Sequence, residues 1–332
     1  MNVLVTGGAG YIGSHAARWL ARSGLNVWVF DNLSRGHRQA ALPGRLLEGE
    51  LSDGRHVERV LREKQIDVVM HFAAFALVGE SVQQPHLYYQ NNVCAACELL
   101  EAMRRAGVTR FIFSSTTATY GEPSRIPITE SEAQRPINPY GFSKLVVEQA
   151  LRDYATAYGW SYAALRYFNA AGASPDGDLG EDHTPESHLI PNILKVALGQ
   201  RSHVDLFGDD YPTPDGTCIR DYIHVDDLAS AHTLALQKLE AGRGWELNLG
   251  LGRGYSVRQV IEACRRITGH PIPTRVEPRR AGDPAELVAD SSRAQQSLGW
   301  QPHYRDIESI VETAWRWHRS HPDGYASRAA TG

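Results

Sequence analysis

The chain is poor in sulfur and has no long apolar run. Four of its 332 residues are cysteine: Cys94, Cys97, Cys218 and Cys264. They are too few and too dispersed for a disulfide framework, so a reducing, cytoplasmic setting is expected. Cys94-x-x-Cys97 has the spacing of half a redox or zinc site. No second Cys/His pair at ligand spacing completes it, and the surrounding segment, Asn92 to Ala106, reads as a helix. Both sulfurs would share its apolar face with Leu100 and Met103, so buried core cysteines and no metal site are the expectation. No apolar stretch is long enough to span a bilayer. A strand-like run starts at the N-terminus, and no secretory signal is expected. The net charge is only −4, and the basic residues are scattered. Arg104-Arg105 and Arg279-Arg280 are doublets rather than patches, so neither a nucleic acid nor a membrane surface is an expected partner.

Glycine is plentiful, and its placement carries the most information. Val3 to Val5 is an apolar run ending in Thr6, followed by Gly7-x-x-Gly10-x-x-Gly13 and a helical pattern from Tyr11 to Ser23. Strand, tight turn and helix in that order place free N–H groups and a positive dipole end where a phosphate can approach. The spacing fits the common G-x-G-x-x-G fingerprint only loosely. The next strand-like run, Asn26 to Phe30, ends in Asp31, about twenty residues past the glycines. A carboxylate there binds the hydroxyls of an adenosine ribose and repels a ribose phosphate, which points to NAD rather than NADP. An Asp-Asn pair that merely turns the chain is the alternative reading.

Strand-like runs recur at Leu46–Glu48, Asp67–Phe72, Arg110–Ser114 and Ser161–Arg166. Helical patterns separate them at His56–Lys64, Val93–Ala106 and Tyr140–Tyr158. This alternation specifies an α/β fold, a doubly wound parallel Rossmann-type sheet with helices on both faces. Its ligand would lie at the carboxyl ends of the strands. After Asn169 the composition shifts. Ala170–Thr184 and Phe207–Thr217 are loop-like, with a helix over His188–Leu198 between them. Val225–Leu239 reads as a helix and Trp245–Leu249 as a strand returning to the main sheet. The rest, from Ser256, reads as mostly helical, and Tyr325–Gly332 as frayed. The expected division is an NAD-binding domain over 1–169, with 225–250 returning to it, and a smaller C-terminal substrate-binding α/β domain over 170–332.

Two further stretches carry chemistry. The strand Arg110–Phe113 runs into Ser114-Ser115-Thr116-Thr117-Ala118-Thr119-Tyr120-Gly121, a hydroxyl-rich end that could equally be a turn network. Farther on stands Tyr140-Gly141-Phe142-Ser143-Lys144, which on a helix places Lys144 one turn beyond Tyr140. An ammonium so placed favours phenolate and should lower the tyrosine pKa towards neutrality, making Tyr140 a general base for a sugar or alcohol hydroxyl.

Together these features resemble the extended short-chain dehydrogenase/reductase superfamily, and within it the UDP-glucose (UDP-galactose) 4-epimerase family. The resemblance runs from Met1 to about Tyr325. It includes His71-Phe72-Ala73-Ala74, Val78-Gly79-Glu80-Ser81, Arg166-Tyr167-Phe168-Asn169, Arg220-Asp221-Tyr222-Ile223-His224 and Arg279 to Asp283. It implies Tyr140 as acid/base, Lys144 as its activator and nicotinamide-ribose ligand, and Thr116 as a hydrogen-bond partner of the sugar 4-hydroxyl. It further implies Gly7, Gly10, Tyr11, Ile12 and Gly13 around the pyrophosphate of NAD, and Asp31 and Asn32 at the adenosine ribose. Phe72, Ala73, Asn92, Ser114 and Phe168 would line the rest of the cofactor site. Asn169, His188, Phe207, Arg220, Arg280 and Asp283 would hold a UDP-sugar, with Leu287 as the gate for sugar size. An arginine facing pyrophosphate and an acid facing ribose suit those groups chemically. The implied reaction is interconversion of UDP-galactose and UDP-glucose through transient oxidation at carbon 4, by a homodimer built on the Val93–Ala106 and Tyr140–Tyr158 helices.

The chain departs from better-known bacterial members at Ala76, where they carry Lys, at His188, where they carry Asn, and at Glu50, where they carry Asp. A sugar-nucleotide 4,6-dehydratase would carry Asp-Glu directly after the catalytic Thr, whereas Thr117-Ala118 follow Thr116 here. A non-catalytic NAD-binding module would typically have lost the Tyr or Lys. Epimerases of N-acetylhexosamine, pentose or uronic-acid UDP-sugars remain alternatives. A tyrosine at the gate would block an N-acetyl group and a very small residue would admit one; Leu287 is intermediate.

Overall fold

The computed structural model describes residues 1–280 and 283–328. The first half builds β1 (Asn2–Thr6), α1 (Tyr11–Arg22), β2 (Asn26–Asp31), β3 (Leu46–Glu48), α2 (Gly54–Glu63), β4 (Val68–His71), α3 (Val78–Gln83) and α4 (Pro85–Tyr88). There follow α5 (Ala95–Ala106), β5 (Arg110–Thr116), α6 (Pro139–Tyr158), β6 (Ser161–Tyr167) and β7 (Asn169–Ala171). The second half contains α7 (Leu189–Ala197), β8 (Val204–Phe207), β9 (Ile219–His224), α8 (Val225–Gln237), β10 (Gly244–Leu249) and β11 (Gly254–Ser256). It ends with α9 (Val257–Thr268), β12 (Thr274–Glu277), β13 (Glu286–Leu287), α10 (Ser292–Leu298) and α11 (Ile307–Ser320).

Seven strands form one parallel sheet in the order β10-β6-β5-β4-β1-β2-β3. The central strands are apolar throughout because both faces are covered: Val68, Val69 and Met70 are all 0 % exposed. Residues of α1 and α8 such as Ala16, Leu20 and Leu228 close one face, and Val57, Leu99 and Val147 from α2, α5 and α6 close the other. Successive strands run outward from β1 in opposite directions, so the crevice between the ends of β1 and β4 is the topological switch point, where such sheets bind ligands. The smaller sheet places β9 between β11 and β13, with β7 also pairing with β9. A separate core of α7, α9 and α11 residues, including Ile193, Val260 and Val311, supports it.

Asn138 caps α6 by accepting the Gly141 N–H, and Pro139 occupies the first turn, where its missing N–H costs nothing. Gly159 ends this helix in the left-handed region. Ser256 and Gln259 form a reciprocal capping box at α9.

Two sequence expectations need correction, and a third needs an addition. Cys94 and Cys97 are exposed rather than buried. A π-type turn over Tyr89–Cys94 precedes α5, whose inward face is Ala95, Ala96, Leu99, Leu100, Ala102 and Met103, leaving both sulfurs on the outer side. The segment after Ser256 is mostly helical, in α9, α10 and α11, but it also contributes the short strands β12 and β13, which pair with β8 and β9. Tyr325 is not frayed: it is buried against Trp317, and its hydroxyl bonds Gly180. The end of that expected stretch, 329–332, lies outside the described residues. No described helix is long and apolar enough to cross a membrane.

Candidate active site

The glycine turn follows β1 directly at the switch point. Gly7 has φ +73°, and a Cβ there would come within 2.4 Å of the Ala73 nitrogen after β4. A Cβ on Gly13 would lie 2.2 Å from the Gly7 carbonyl oxygen. Both glycines are therefore required for the turn to close on the helix. At Gly10, the N-cap of α1, no side chain supplies a cap, so the first-turn N–H groups of Tyr11 and Ile12 lead into the crevice. Asp31 ends β2 with each carboxylate oxygen accepting one backbone N–H, from Ala9 at 2.9 Å and Leu33 at 2.8 Å. Each oxygen keeps a further lone pair for a ribose hydroxyl. Burial pushes the Asp31 carboxyl pKa upward, and these two N–H donors pull it back. An uncapped helix start, a turn without side chains and a ribose-sized acid fit NAD. Asn32 turns aside to Glu50, donating at 3.1 Å. Phe72 is half-buried, packed on His232, and Phe168 is half-buried in the link from β6 to β7. Ala76 is exposed.

The carboxyl end of β5 brings the catalytic candidates together. Thr116 is the N-cap of a short turn, its hydroxyl accepting the Ala118 N–H at 3.2 Å, and it lies close enough to Tyr140 to lower that phenol's pKa. Lys144, one turn farther along α6 and 3 % exposed, donates to the Ser114 carbonyl at 2.8 Å and sits over the Phe113 ring. The expected lowering of the tyrosine pKa is not produced by the chain alone. Burial raises the Tyr140 pKa and only the neighbouring Thr116 hydroxyl lowers it, while the ammonium is bound to the Ser114 carbonyl. Burial instead pulls Lys144 down to about 7, with Glu148 opposing. His71 is held neutral, its pKa near 3, by burial and by Lys144, and it shares a 2.7 Å hydrogen bond with Thr6.

Sequence reasoning missed what holds this edge in place. Glu148, fully buried one turn past Lys144, accepts from the Ser115 hydroxyl at 2.5 Å and from the Arg166 Nε at 2.9 Å. It thereby ties α6, β5 and β6 together around Thr116 and Tyr140. Asn92 does the same on the other side, accepting from the Phe75 N–H and donating to Phe75 O and Ser143 Oγ. The Asn92 and Arg166 motifs were visible in the sequence, but their partners are far away in the chain.

The substrate candidates form a second group. Tyr167 pairs with Thr116 across β5 and β6, and Asn169, two residues on, donates to the Asp221 carbonyl at 3.0 Å. Arg220 and Asp283 form an ion pair with each other, and Leu287 pairs with Arg220 across β13 and β9. Arg280 lies 4.0 Å over the Phe207 ring. His188 is placed differently: its Nδ1 bonds Glu181, and the acidic neighbours raise its pKa to about 9 against the effect of burial.

A dinucleotide turn on a doubly wound sheet, with a Thr-Tyr-Lys set at the adjoining strand end, defines a short-chain dehydrogenase/reductase-type enzyme. The chain belongs to the NAD dependent epimerase/dehydratase family, whose model matches residues 3–250, and its cofactor is NAD. It is similar to the UDP-glucose 4-epimerase of Halalkalibacterium halodurans, 54 % identical over 328 residues and 98 % of each chain. That of Corynebacterium glutamicum is 54 % identical over 316 residues and 95 % of each chain. Among solved structures, UDP-glucose 4-epimerase from Brucella ovis in complex with NAD matches with TM-score 0.92 at 52 % identity, covering 95 % of this chain and 97 % of that one. The Bifidobacterium longum enzyme in complex with NAD+ and UDP matches with TM-score 0.94 at 41 % identity, covering 98 % and 100 %.

Proposed function

We propose that this enzyme interconverts UDP-galactose and UDP-glucose, with Tyr140 as the acid/base. The observation that carries this reading is the convergence of Thr116, Tyr140 and Lys144 beside a glycine turn suited to NAD, on a chain so similar to UDP-glucose 4-epimerases. Bound NAD would supply the hydride acceptor for sugar carbon 4, and its positive nicotinamide would favour ionisation of the phenol. Tyr140 removes the 4-hydroxyl proton, and Thr116 orients that hydroxyl. Lys144 fixes the cofactor's ribose and keeps a positive charge near the strand end. Arg220, Asp283, Asn169, Phe207 and Arg280 grip the UDP portion, and Leu287 borders the sugar. Binding energy gathered at UDP leaves the oxidised sugar free to turn between its two faces.

The division into an NAD-binding unit, 1–169 with 225–250, and a UDP-sugar unit, 170–332, belongs to the same reading, as does a cytoplasmic location. So does a homodimer on the outer faces of α5 and α6, where Phe142 and Tyr158 are exposed beside Cys94, Cys97 and Tyr89. Sedimentation should find a dimer that Phe142→Asp weakens; an unchanged dimer would place the interface elsewhere.

Tyr140→Phe tests the chemistry. Turnover should disappear while bound NAD is retained. Substantial remaining activity would remove Tyr140 from the role of base.

A further inference from the structure

Between β7 and α7 the chain reads Glu181-x-His183-x-x-Glu186-x-His188, and the fold draws these four side chains into one cluster. One donor atom from each lies within 4.8 Å of all the others. His183 Nδ1 is 3.2 Å from Glu181 Oε1 and 3.8 Å from Glu186 Oε2. His188 Nδ1 bonds the same Glu181 oxygen and lies 3.8 Å from Glu186 Oε1. In a tetrahedral zinc site with bonds of about 2.0–2.1 Å, neighbouring donor atoms stand roughly 3.3–3.4 Å apart. The 3.2 Å separation approaches that value, and the two of 3.8 Å lie a little beyond it.

Two features set the cluster apart from an ordinary surface ion pair. The Glu181 and Glu186 side chains are only 4 % and 3 % exposed, so two carboxylates are packed side by side away from water. His183 Nδ1 is also sealed from solvent, and no hydrogen bond satisfies it despite the nearby carboxylate oxygen. An imidazole nitrogen directed into a pair of buried carboxylates, with no well-aligned hydrogen bond to either, is a metal-ligand arrangement. A cavity of about 250 Å³ adjoins the cluster, lined by Glu181, His183 and Glu186 together with Lys195, His318 and His321.

We propose that Glu181, His183, Glu186 and His188 form a binding site for a divalent transition-metal cation, zinc being the chemical match for two imidazoles and two carboxylates. The Tyr11 ring meets the His183 ring edge-on at 6.2 Å, and Tyr11 opens α1 at the cofactor turn. A cation here pins the 181–188 loop beside that turn and neutralises two carboxylates that otherwise oppose any phosphate bound nearby. Its role is structural, and it takes no part in the hydride or proton steps.

The test uses the full-length protein with zinc alone as probe. After equilibration in chelator-buffered zinc and gel filtration, elemental analysis should find one zinc per chain, and zinc should raise the melting temperature of the unaltered protein. Cobalt in its place should give the strong visible absorption of a tetrahedral centre. His183→Gln and Glu186→Gln should each weaken zinc binding by more than about tenfold while retaining bound NAD, which reports that they fold. The proposal is overturned if the unaltered protein takes up no zinc, or takes it up with no change in melting temperature. Zinc bound equally by both variants, or an octahedral cobalt spectrum, would likewise overturn it.

Discussion

Replacing Lys144 with methionine should cost activity and, at neutral pH and below, increase stability. The methionine keeps the volume of the buried side chain and removes its charge. Burial lowers the folded-state pKa from 10.5 to about 7, which corresponds to a penalty of about 5 kcal/mol for the charged form. The lysine also donates to the Ser114 carbonyl, and losing that bond costs about 1–3 kcal/mol. The net gain for Lys144→Met is then about 2–4 kcal/mol at pH 6. Between pH 7 and 10.5 the unfolded lysine holds a proton that the folded one has released. The wild-type protein therefore gains stability as pH rises through this window, by about 1.4 kcal/mol per pH unit, while the methionine variant does not. Urea unfolding of both proteins, freed of NAD, at intervals from pH 6 to 9.5 reads the difference directly. The variant's advantage should shrink steadily above pH 7 as its turnover stays at least about a hundredfold down. A stability difference that is flat across this range would refute the claim that Lys144 is a strained, desolvated ammonium.

Glu148→Gln should destabilise the protein by about 3–5 kcal/mol, because it leaves the Arg166 guanidinium buried with only half its anionic support; chemical denaturation checks this, and a change below about 1 kcal/mol would contradict it. Acid should unfold the chain early. His71 and His224 are depressed to about 3, and His232 and His318 to about 4, all chiefly by burial. Their unfolded forms bind protons first, so stability is present above pH 6.5 and lost as pH falls below it. His232 and His318 each contribute a loss of about 3 kcal/mol by pH 4, which circular dichroism should register as unfolding between about pH 6 and 4; a native spectrum at pH 4 would contradict it.

The parallel sheet was legible because its strands are short apolar runs set between helices, a pattern that only two-sided burial explains. The glycine turn, Asp31 and the Tyr140–Lys144 spacing were legible for the same local reason: each is a motif whose geometry is fixed within a few residues. Cys94 was misplaced because a π-type turn shifts its phase, and Cys97 because the inward face of α5 centres on Ala96, Leu99, Leu100 and Met103, which leaves Cys97 on its outer side. β12 and β13 escaped notice since each is short and gains its strand character only by pairing with β8 or β9. The direction of the Tyr140 pKa shift went wrong because the spacing reveals that Lys144 is near, but not that its ammonium is bound to Ser114. Glu148 and Arg166 read as ordinary charged residues until the fold buries them together.

The most direct test is to incubate the purified protein with UDP-galactose, without added NAD, and follow the sugar by proton NMR. Appearance of UDP-glucose, abolished by Tyr140→Phe, is the predicted result and shows that catalytic NAD travels with the protein. Sugar signals that stay unchanged even after NAD is supplied would contradict the account.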